Sequence, residues 1–175
     1  KFLLELKYGE NINNKLISKH YKTKELYKSI IKAFSFNNIK KKNIQYEDLK
    51  AIDEFHVGGL QATNNILKKL NISSNAKVLD IGSGLGGTAR HITLQTGARV
   101  TGIDLSPEFI FAAKRLCKMT KIDVKFILGN ALELPFKYCQ FDFVTLIHVG
   151  MNISNKTKLF NEVYRVLKSN RTFAL

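Results

Sequence analysis

Two acidic residues flank a glycine-rich turn near the middle of the chain. Asp80 lies in a short apolar run, 77–81, which is typical of a buried β-strand, and the glycine-rich segment 82–87 follows it. Asp104 ends a second such run, 99–104. The four glycines of this turn lack Cβ atoms, so a ligand can approach the backbone there, and the helix expected after the turn directs N–H groups toward that ligand. A carboxylate at the end of the second strand can accept both hydroxyls of a ribose, so the pattern indicates a nucleoside-type cofactor site.

The glycines alone leave two cofactors open. Gly82, Gly84 and Gly87 match the dinucleotide pattern G-x-G-x-x-G, whereas Asp80 followed by Gly82, Gly84 and Gly86 matches a loop that binds S-adenosylmethionine. Asp80 favours the second interpretation, because its carboxylate would repel a pyrophosphate but attract the cationic methionine end of S-adenosylmethionine. A nicotinamide oxidoreductase is the alternative enzyme class.

The order of segments resembles a class I S-adenosylmethionine-dependent methyltransferase, in particular the small-molecule enzymes of the ubiquinone-methyltransferase-like and sarcosine/dimethylglycine-methyltransferase-like groups. The resemblance covers roughly positions 50–175 and is carried by segments 55–60, 80–90, 102–109, 129–136 and 148–153. It implies an α/β fold: a Rossmann-like, doubly wound and mostly parallel sheet with strand order 3-2-1-4-5. We expect this sheet to end before the last two strands of the family fold and to carry an N-terminal helical extension.

On this interpretation the chain has two regions. Residues 1–55 form the helical extension or lid, with Thr23 as the expected N-cap of a helix whose apolar residues include Leu26, Ile30 and Phe34. Residues 56–175 form the Rossmann-like methyltransferase domain, incomplete at its C-terminal end. The 175-residue chain begins with Lys1, so we expect a fragment or a split gene product. A bare sheet edge promotes pairing, so we also expect an oligomer or a second chain to cover it.

Residues that typically begin or end helices predict the bounds of the other elements. Gly97 is expected to end the helix after the turn, and Ser106 followed by Pro107 is expected to begin the next one. The segment 169–171 stands where the family has a Pro-Gly-Gly turn. Helices are predicted over 46–52, 60–70, 86–96, 106–119 and 155–168, and further strands over 124–127, 141–147 and 172–175.

The resemblance assigns cofactor contacts to individual residues. Leu105 would touch the adenine, and Asn130 stands where the family has an aspartate that accepts from the adenine amino group. Ile147 stands where related sequences often carry glutamine. The expected cofactor-binding residues are Asp80, Gly82, Ser83, Gly84, Gly86, Asp104, Leu105, Asn130, Ala131 and His148.

Two histidines are candidates for proton transfer. His148 follows the fourth strand, where the resemblance places the transferred methyl, and imidazole titrates near neutral pH. A structural histidine that bonds the backbone is the alternative for His148. His56 precedes a glycine pair and is the other candidate, with a capping or exposed histidine as its alternative. No cluster with metal-ligand spacing is present in the sequence.

The expected activity is methyl transfer from S-adenosylmethionine to a small molecule. The acceptor would be an amine nitrogen of the sarcosine/dimethylglycine type, or a quinone-like carbon or oxygen. The alternative is a non-catalytic remnant of such an enzyme that binds the cofactor or a partner.

The amino-acid composition of the chain limits the classes of partner that we expect. The net charge of +14 comes mostly from lysine in a chain also rich in asparagine and isoleucine, which we interpret as a solvated surface shaped by coding composition. No nucleic-acid motif is present, so no nucleic-acid partner is expected. No apolar run approaches the roughly 20 residues of a membrane span. Cys117 and Cys139 form no C-x-x-C pair, which indicates reduced thiols and a cytoplasmic protein.

Overall fold

The computed structural model describes residues 15–37, 39, 44–53 and 59–175, and within these ranges it leaves the side chains of 15–23 and 51 undescribed. The helices are α1 (Lys15–Phe36), α2 (Lys50–Asp53), α3 (Gly59–Leu70), α4 (Gly87–Thr96), α5 (Pro107–Thr120) and α6 (Lys156–Val166). The strands are β1 (Lys77–Ile81), β2 (Arg99–Asp104), β3 (Lys125–Leu128), β4 (Phe141–Thr145) and β5 (Leu167–Ala174). Single 3-10 turns span Tyr46–Leu49 and Gly150–Asn152.

The five strands form one parallel sheet in the order β3-β2-β1-β4-β5, which confirms the predicted order. Asp80 lies in register with Gly102 on β2 and with Thr145 on β4. Asp104 lies in register with Leu128 on β3. The carboxyl ends of parallel strands meet at one edge of the sheet, so the two predicted acidic residues share that edge.

Helices cover both faces of the sheet, as expected for a doubly wound fold. On one face, strand residues such as Val78, Val100 and Phe126 pack against Ala89 and Ile92 of α4, among other helix residues. On the other face, Leu79, Ile103 and Val144 pack against Leu159 and Val163 of α6. Buried runs such as 78–81 have apolar residues on both faces of a strand, which is the pattern of a parallel sheet.

The N-terminal helix packs outside this sandwich, on α5. Ile30 and Phe34 of α1 form a third apolar cluster with Ala112 and Leu116 of α5. The expected N-cap at Thr23 is wrong, because α1 begins at Lys15 and passes through residue 23. A single threonine costs a helix only a few tenths of a kcal/mol, and no glycine or proline interrupts 15–36. No helix in the described ranges is long and apolar enough to cross a bilayer.

The last strand differs from its predicted form. β5 begins at Leu167 directly after α6, rather than at residue 172. Its register against β4 jumps from Leu167 opposite Phe141 to Thr172 opposite Phe143, so 168–171 bulge out of the ladder. Asn170 has φ of +56° there, a conformation that asparagine adopts more readily than most residues. The predicted turn at 169–171 is thus a bulge inside an edge strand. That another chain covers this edge stays a prediction.

Candidate functional site

The glycine-rich turn is held against the end of β2 by backbone hydrogen bonds. The N–H groups of Gly82 and Ser83 donate to the carbonyl of Ile103 at 2.8 and 3.1 Å. The next N–H along the turn, that of Gly84, donates to Asp104 Oδ2 at 2.9 Å. The turn therefore wraps over the carboxyl end of β2 and ends beside the Asp104 carboxylate.

Asp104 is positioned from two sides. Its Oδ2 accepts from Gly84, and its Oδ1 accepts from the backbone N–H of Ser106 at 2.8 Å. An ionised carboxylate has about four lone-pair sites, so two remain available. The carboxylate is half-buried at the sheet edge. It can therefore accept the two hydroxyls of a ribose without giving up its own anchors.

Asp80 is a buried carboxylate with unused acceptor capacity. It is 2% exposed, and its Oδ1 accepts from the Thr145 hydroxyl at 2.8 Å. Among the buried side-chain atoms of the described residues, two lack a hydrogen-bond partner: Asp80 Oδ2 and Ser83 Oγ. Burial raises the pKa of Asp80 to about 7, the Thr145 hydroxyl offsets part of that rise, and the charge of Asp104 adds to it. Unpaired buried polar atoms are costly, so both atoms suit a polar, cationic ligand group at this turn.

Of the four glycines in the turn, one faces open space. A Cβ on Gly84, which has φ of +52°, would meet no atom within 4 Å. The other three are packed against the protein itself, by Val149 at Gly82, by Phe126 at Gly86 and by Asp53 at Gly87. At Gly84 a ligand could therefore occupy the space where a Cβ would lie, and the cofactor contacts of Gly82 and Gly86 stay predictions.

Two exposed leucines lie at the expected adenine position. Leu105 is 72% exposed and Leu128 is 53% exposed, at the ends of neighbouring strands. An apolar side chain exposed beside the Asp104 carboxylate suits the face of an adenine ring. Leu128 was not among the predicted site residues. Its place at the end of β3, which lies in register with Asp104 at the end of β2, could have identified it as a neighbour of the site.

The segment after β3 is also at this edge. The Oδ1 atom of Asn130 accepts from the backbone N–H of Leu132 at 2.9 Å, which closes a local turn. Asn130 is exposed, and Ala131 is half-buried against the core of the second sheet face. The Asn130 oxygen therefore stabilises its own loop and keeps one lone pair for another donor.

His148 lies on the segment that leaves β4. It is exposed and has φ of +55°, a left-handed conformation outside the β region, and β4 ends at Thr145 rather than at the predicted residue 147. Its neighbour Val149 packs onto Gly82, so this segment lies against the glycine-rich turn. Non-glycine residues in strained backbone regions cluster at functional sites. His56 lies outside the described residues.

Sequence comparison identifies the family. The methyltransferase domain family matches residues 79–175, which is more than half of the chain. The chain belongs to the methyltransferase domain family. This match confirms the resemblance to class I S-adenosylmethionine-dependent small-molecule methyltransferases, and its segment contains the turn, Asp104 and His148.

Relatives of this methyltransferase domain include enzymes with different acceptors. The phosphoethanolamine N-methyltransferase of Plasmodium falciparum is 34% identical over 135 residues, which are 74% of this chain and 49% of that enzyme. The demethylmenaquinone methyltransferase of Tropheryma whipplei is 36% identical over 101 residues, which are 58% of this chain and 41% of that enzyme. The chain thus spans half or less of the length of these relatives.

A solved structure shows the same fold. Phosphoethanolamine N-methyltransferase 2 of Haemonchus contortus superposes with a TM-score of 0.63 at 31% identity, over 66% of this chain and 28% of that one. That crystal structure contains S-adenosylhomocysteine and phosphomonomethylethanolamine.

The packing of the turn predicts destabilisation of different size for two glycine substitutions in this methyltransferase domain. Gly86→Ala would place a methyl group against the Phe126 ring at φ of +85°, so we expect the free energy of unfolding to fall by about 2 kcal/mol. Gly84→Ala meets no protein atom, so we expect a loss of about 1 kcal/mol from backbone strain alone. Urea denaturation measures both changes.

Cofactor titration of the same two variants separates packing from ligand approach. Folded Gly86→Ala protein should bind S-adenosylmethionine within about threefold of the parent, whereas Gly84→Ala should bind about tenfold more weakly, since its methyl group lies where a ligand nears the backbone. Equal affinities for the two variants would show that no ligand approaches Gly84.

Proposed function

We propose that this chain binds S-adenosylmethionine and transfers its methyl group to a small molecule, with an amine nitrogen as the favoured acceptor. The single observation that carries the proposal is the pair of acidic residues around the turn. Asp104 is anchored with lone pairs to spare, and Asp80 has a buried oxygen without a partner. Asp104 is therefore suited to accept the hydroxyls of a ribose, and the Asp80 carboxylate is suited to pair with a cationic amino acid group.

Different residues of the chain would bind different parts of S-adenosylmethionine. Asp80 and Ser83 would hold the methionine end, Gly84 would admit it to the backbone, and Asp104 would hold the ribose. Leu105, Asn130 and Ala131 would contact the adenine, with the newly found Leu128 beside them. When bound, S-adenosylmethionine supplies an electrophilic methyl group on a sulfonium centre. The protein then mainly orients the acceptor in line with that methyl, an effect that can provide roughly 7–11 kcal/mol.

An amine acceptor fits the names of the relatives and the presence of His148. Relatives include N-methyltransferases that act on phosphoethanolamine, norajmaline and ajmaline, together with a demethylmenaquinone methyltransferase. An amine must lose its proton before it attacks, and a histidine at the end of β4 would accept that proton. A quinone-like carbon or oxygen is the second acceptor class, supported by the demethylmenaquinone relatives.

Two assays test the proposal. Calorimetric titration with S-adenosylmethionine should show one site with micromolar affinity, and NAD in the same cell should show none. Transfer of a radiolabelled methyl group should then be measured with phosphoethanolamine, sarcosine, dimethylglycine and a demethylated quinone. Binding without transfer to any acceptor would favour the remnant, an alternative supported by asparagine at position 130, where the family has aspartate. Absence of binding would overturn the proposal.

The raised pKa of Asp80 predicts a pH-dependent affinity. Between about pH 5.5 and about pH 7.5 we expect S-adenosylhomocysteine to bind about tenfold more tightly as Asp80 ionises, since only the carboxylate attracts the ligand's ammonium group. The ligand's amino group lies beside its own carboxylate, and this negative charge keeps its pKa above this range, so the charge of the ligand changes little. Calorimetry at several pH values measures the slope, and Asp80→Asn should remove it.

The same group has the opposite effect on stability. The folded-state pKa of Asp80 is raised to about 7 from an ordinary value of 3.8, so the folded state binds the proton more tightly. The stability that Asp80 contributes is full below the ordinary value and is lost as the pH rises through about 7. Asp80→Asn should therefore lose this part of the pH dependence of unfolding. If Asp80→Asn and the parent show the same pH dependence of ligand affinity and of unfolding free energy, Asp80 does not titrate in this range.

A further inference from the structure

A fully buried arginine joins the N-terminal region to the glycine-rich turn. Arg90 on α4 is 0% exposed and pairs with Asp53, the last residue of α2, through two of its nitrogens: Nε donates to Oδ2 at 3.3 Å, and Nη2 donates to Oδ1. The third nitrogen, Nη1, donates at 2.8 Å to the carbonyl of Leu85, which belongs to the turn. One guanidinium therefore holds both segments.

The next residue of α4 makes a second connection. His91 is 4% exposed, with its Nε2 at 2.6 Å from Asn64 Oδ1 and its Nδ1 at 2.8 Å from the Tyr46 hydroxyl. An amide oxygen only accepts, so Nε2 carries the proton, and Nδ1 accepts from Tyr46. The Tyr46 ring also stacks on the imidazole, with an interplanar angle of 19°.

The backbone of the turn is shaped to receive this segment. A Cβ on Gly87 would lie 2.6 Å from Asp53 Cβ and 2.8 Å from the Asp53 carbonyl oxygen. A Cβ on Gly86 would lie 3.1 Å from Arg90 Nη1, beside its contact with Phe126. The two glycines are therefore packing sites for segment 44–53 and for Arg90.

We propose that Arg90 is a positioning residue that couples the docking of segment 44–53 to the conformation of the cofactor loop. If Asp53 withdraws, the buried guanidinium loses its counter-charge, and the Leu85 carbonyl becomes its main remaining partner. The loop then relaxes together with the segment. Docking of the segment and binding of the cofactor thus favour each other, although the Arg90 and Asp53 side chains are buried and neither residue is among the expected cofactor contacts. The effect on binding rests on the proposed function, whereas the effect on the loop does not.

The test compares Asp53→Asn with Asp142→Asn. Each change replaces a largely buried carboxylate in an ion pair by an amide of the same shape, but Asp142 pairs with Lys168 and the Lys77 N–H at the opposite end of β1. Hydrogen exchange without ligand is measured first. We expect the amides of 82–87 to exchange about tenfold faster in Asp53→Asn, and at the parent rate in Asp142→Asn. Tyr46→Phe, which removes a single hydroxyl, should give a smaller effect of the same sign if Asp53→Asn fails to fold.

Ligand binding is the second readout. In the parent, S-adenosylhomocysteine should slow exchange of the 46–53 amides, and Asp53→Asn should weaken its affinity about tenfold and abolish that slowing. A merely structural ion pair would lower the stability of both variants and leave loop exchange, affinity and the response of 46–53 unchanged, which would overturn the proposal. Failure of the parent to bind any ligand would count against the proposed function, and the ligand-free loop exchange would still decide the role of Arg90.

Discussion

Replacing Asp104 with alanine should weaken the binding of S-adenosylmethionine by about 100-fold, or about 2.7 kcal/mol. The carboxylate would accept two ribose hydroxyls, and hydrogen bonds to a charged acceptor contribute about 1.5–3 kcal/mol each. It also accepts from Gly84 N–H, so the variant loses one of the bonds that hold the turn. Calorimetric titration of the folded variant measures the change.

Two further variants separate these contributions. Asp104→Asn keeps one oxygen that can hold the Gly84 N–H but loses the acceptor for the Ser106 N–H, so an intermediate loss of about tenfold is expected from the ribose contact and this anchor together. Asp123→Ala removes an exposed carboxylate just before β3 and should leave the affinity unchanged. If Asp104→Ala binds as tightly as Asp123→Ala does, the assignment of the ribose contact is wrong.

Local signals in the sequence predicted most of the sheet and its caps. The runs at 77–81 and 99–104 are the observed β1 and β2. Gly97 ends α4 with φ of +71°, and the Ser106 side chain accepts from Phe109 N–H as the N-cap of α5. Each of these signals is contained in a few neighbouring residues, so it can be read without knowing which segments meet in space.

The features that sequence reasoning missed depend on distant contacts. Arg90 on α4 pairs with Asp53 on α2, which lies 37 residues earlier in the chain. No spacing rule in the sequence connects residues that far apart. The glycines at 82, 86 and 87 are each packed against a neighbour from another segment, namely Val149, Phe126 and Asp53. The early start of β5 is likewise set by its pairing with β4, which overrides the polar, turn-like residues of 168–171.

These distant contacts give the site its asymmetry. The Cβ positions of Gly82, Gly86 and Gly87 are filled by Val149, Phe126 and Asp53, whereas the Cβ position of Gly84 is open. The unpartnered oxygen of Asp80 and the spare lone pairs of Asp104 lie on the two strands that flank this turn. The space that the structure leaves for a ligand therefore lies near Gly84 and the two carboxylates.

His148→Asn should lower kcat for an amine acceptor by at least about 100-fold, because general bases contribute typically 10²–10⁴-fold to rate. Asparagine tolerates a left-handed backbone, so the φ of +55° at this position is preserved and only the imidazole is lost. Initial rates of radiolabelled methyl transfer at saturating cofactor measure the effect.

A matched control replaces the same kind of backbone position elsewhere. Lys121 has φ of +58° and is exposed at the end of α5, so Lys121→Asn should retain the full rate. If His148→Asn keeps the rate that Lys121→Asn keeps, the histidine is structural, and the proton of the acceptor leaves by another route.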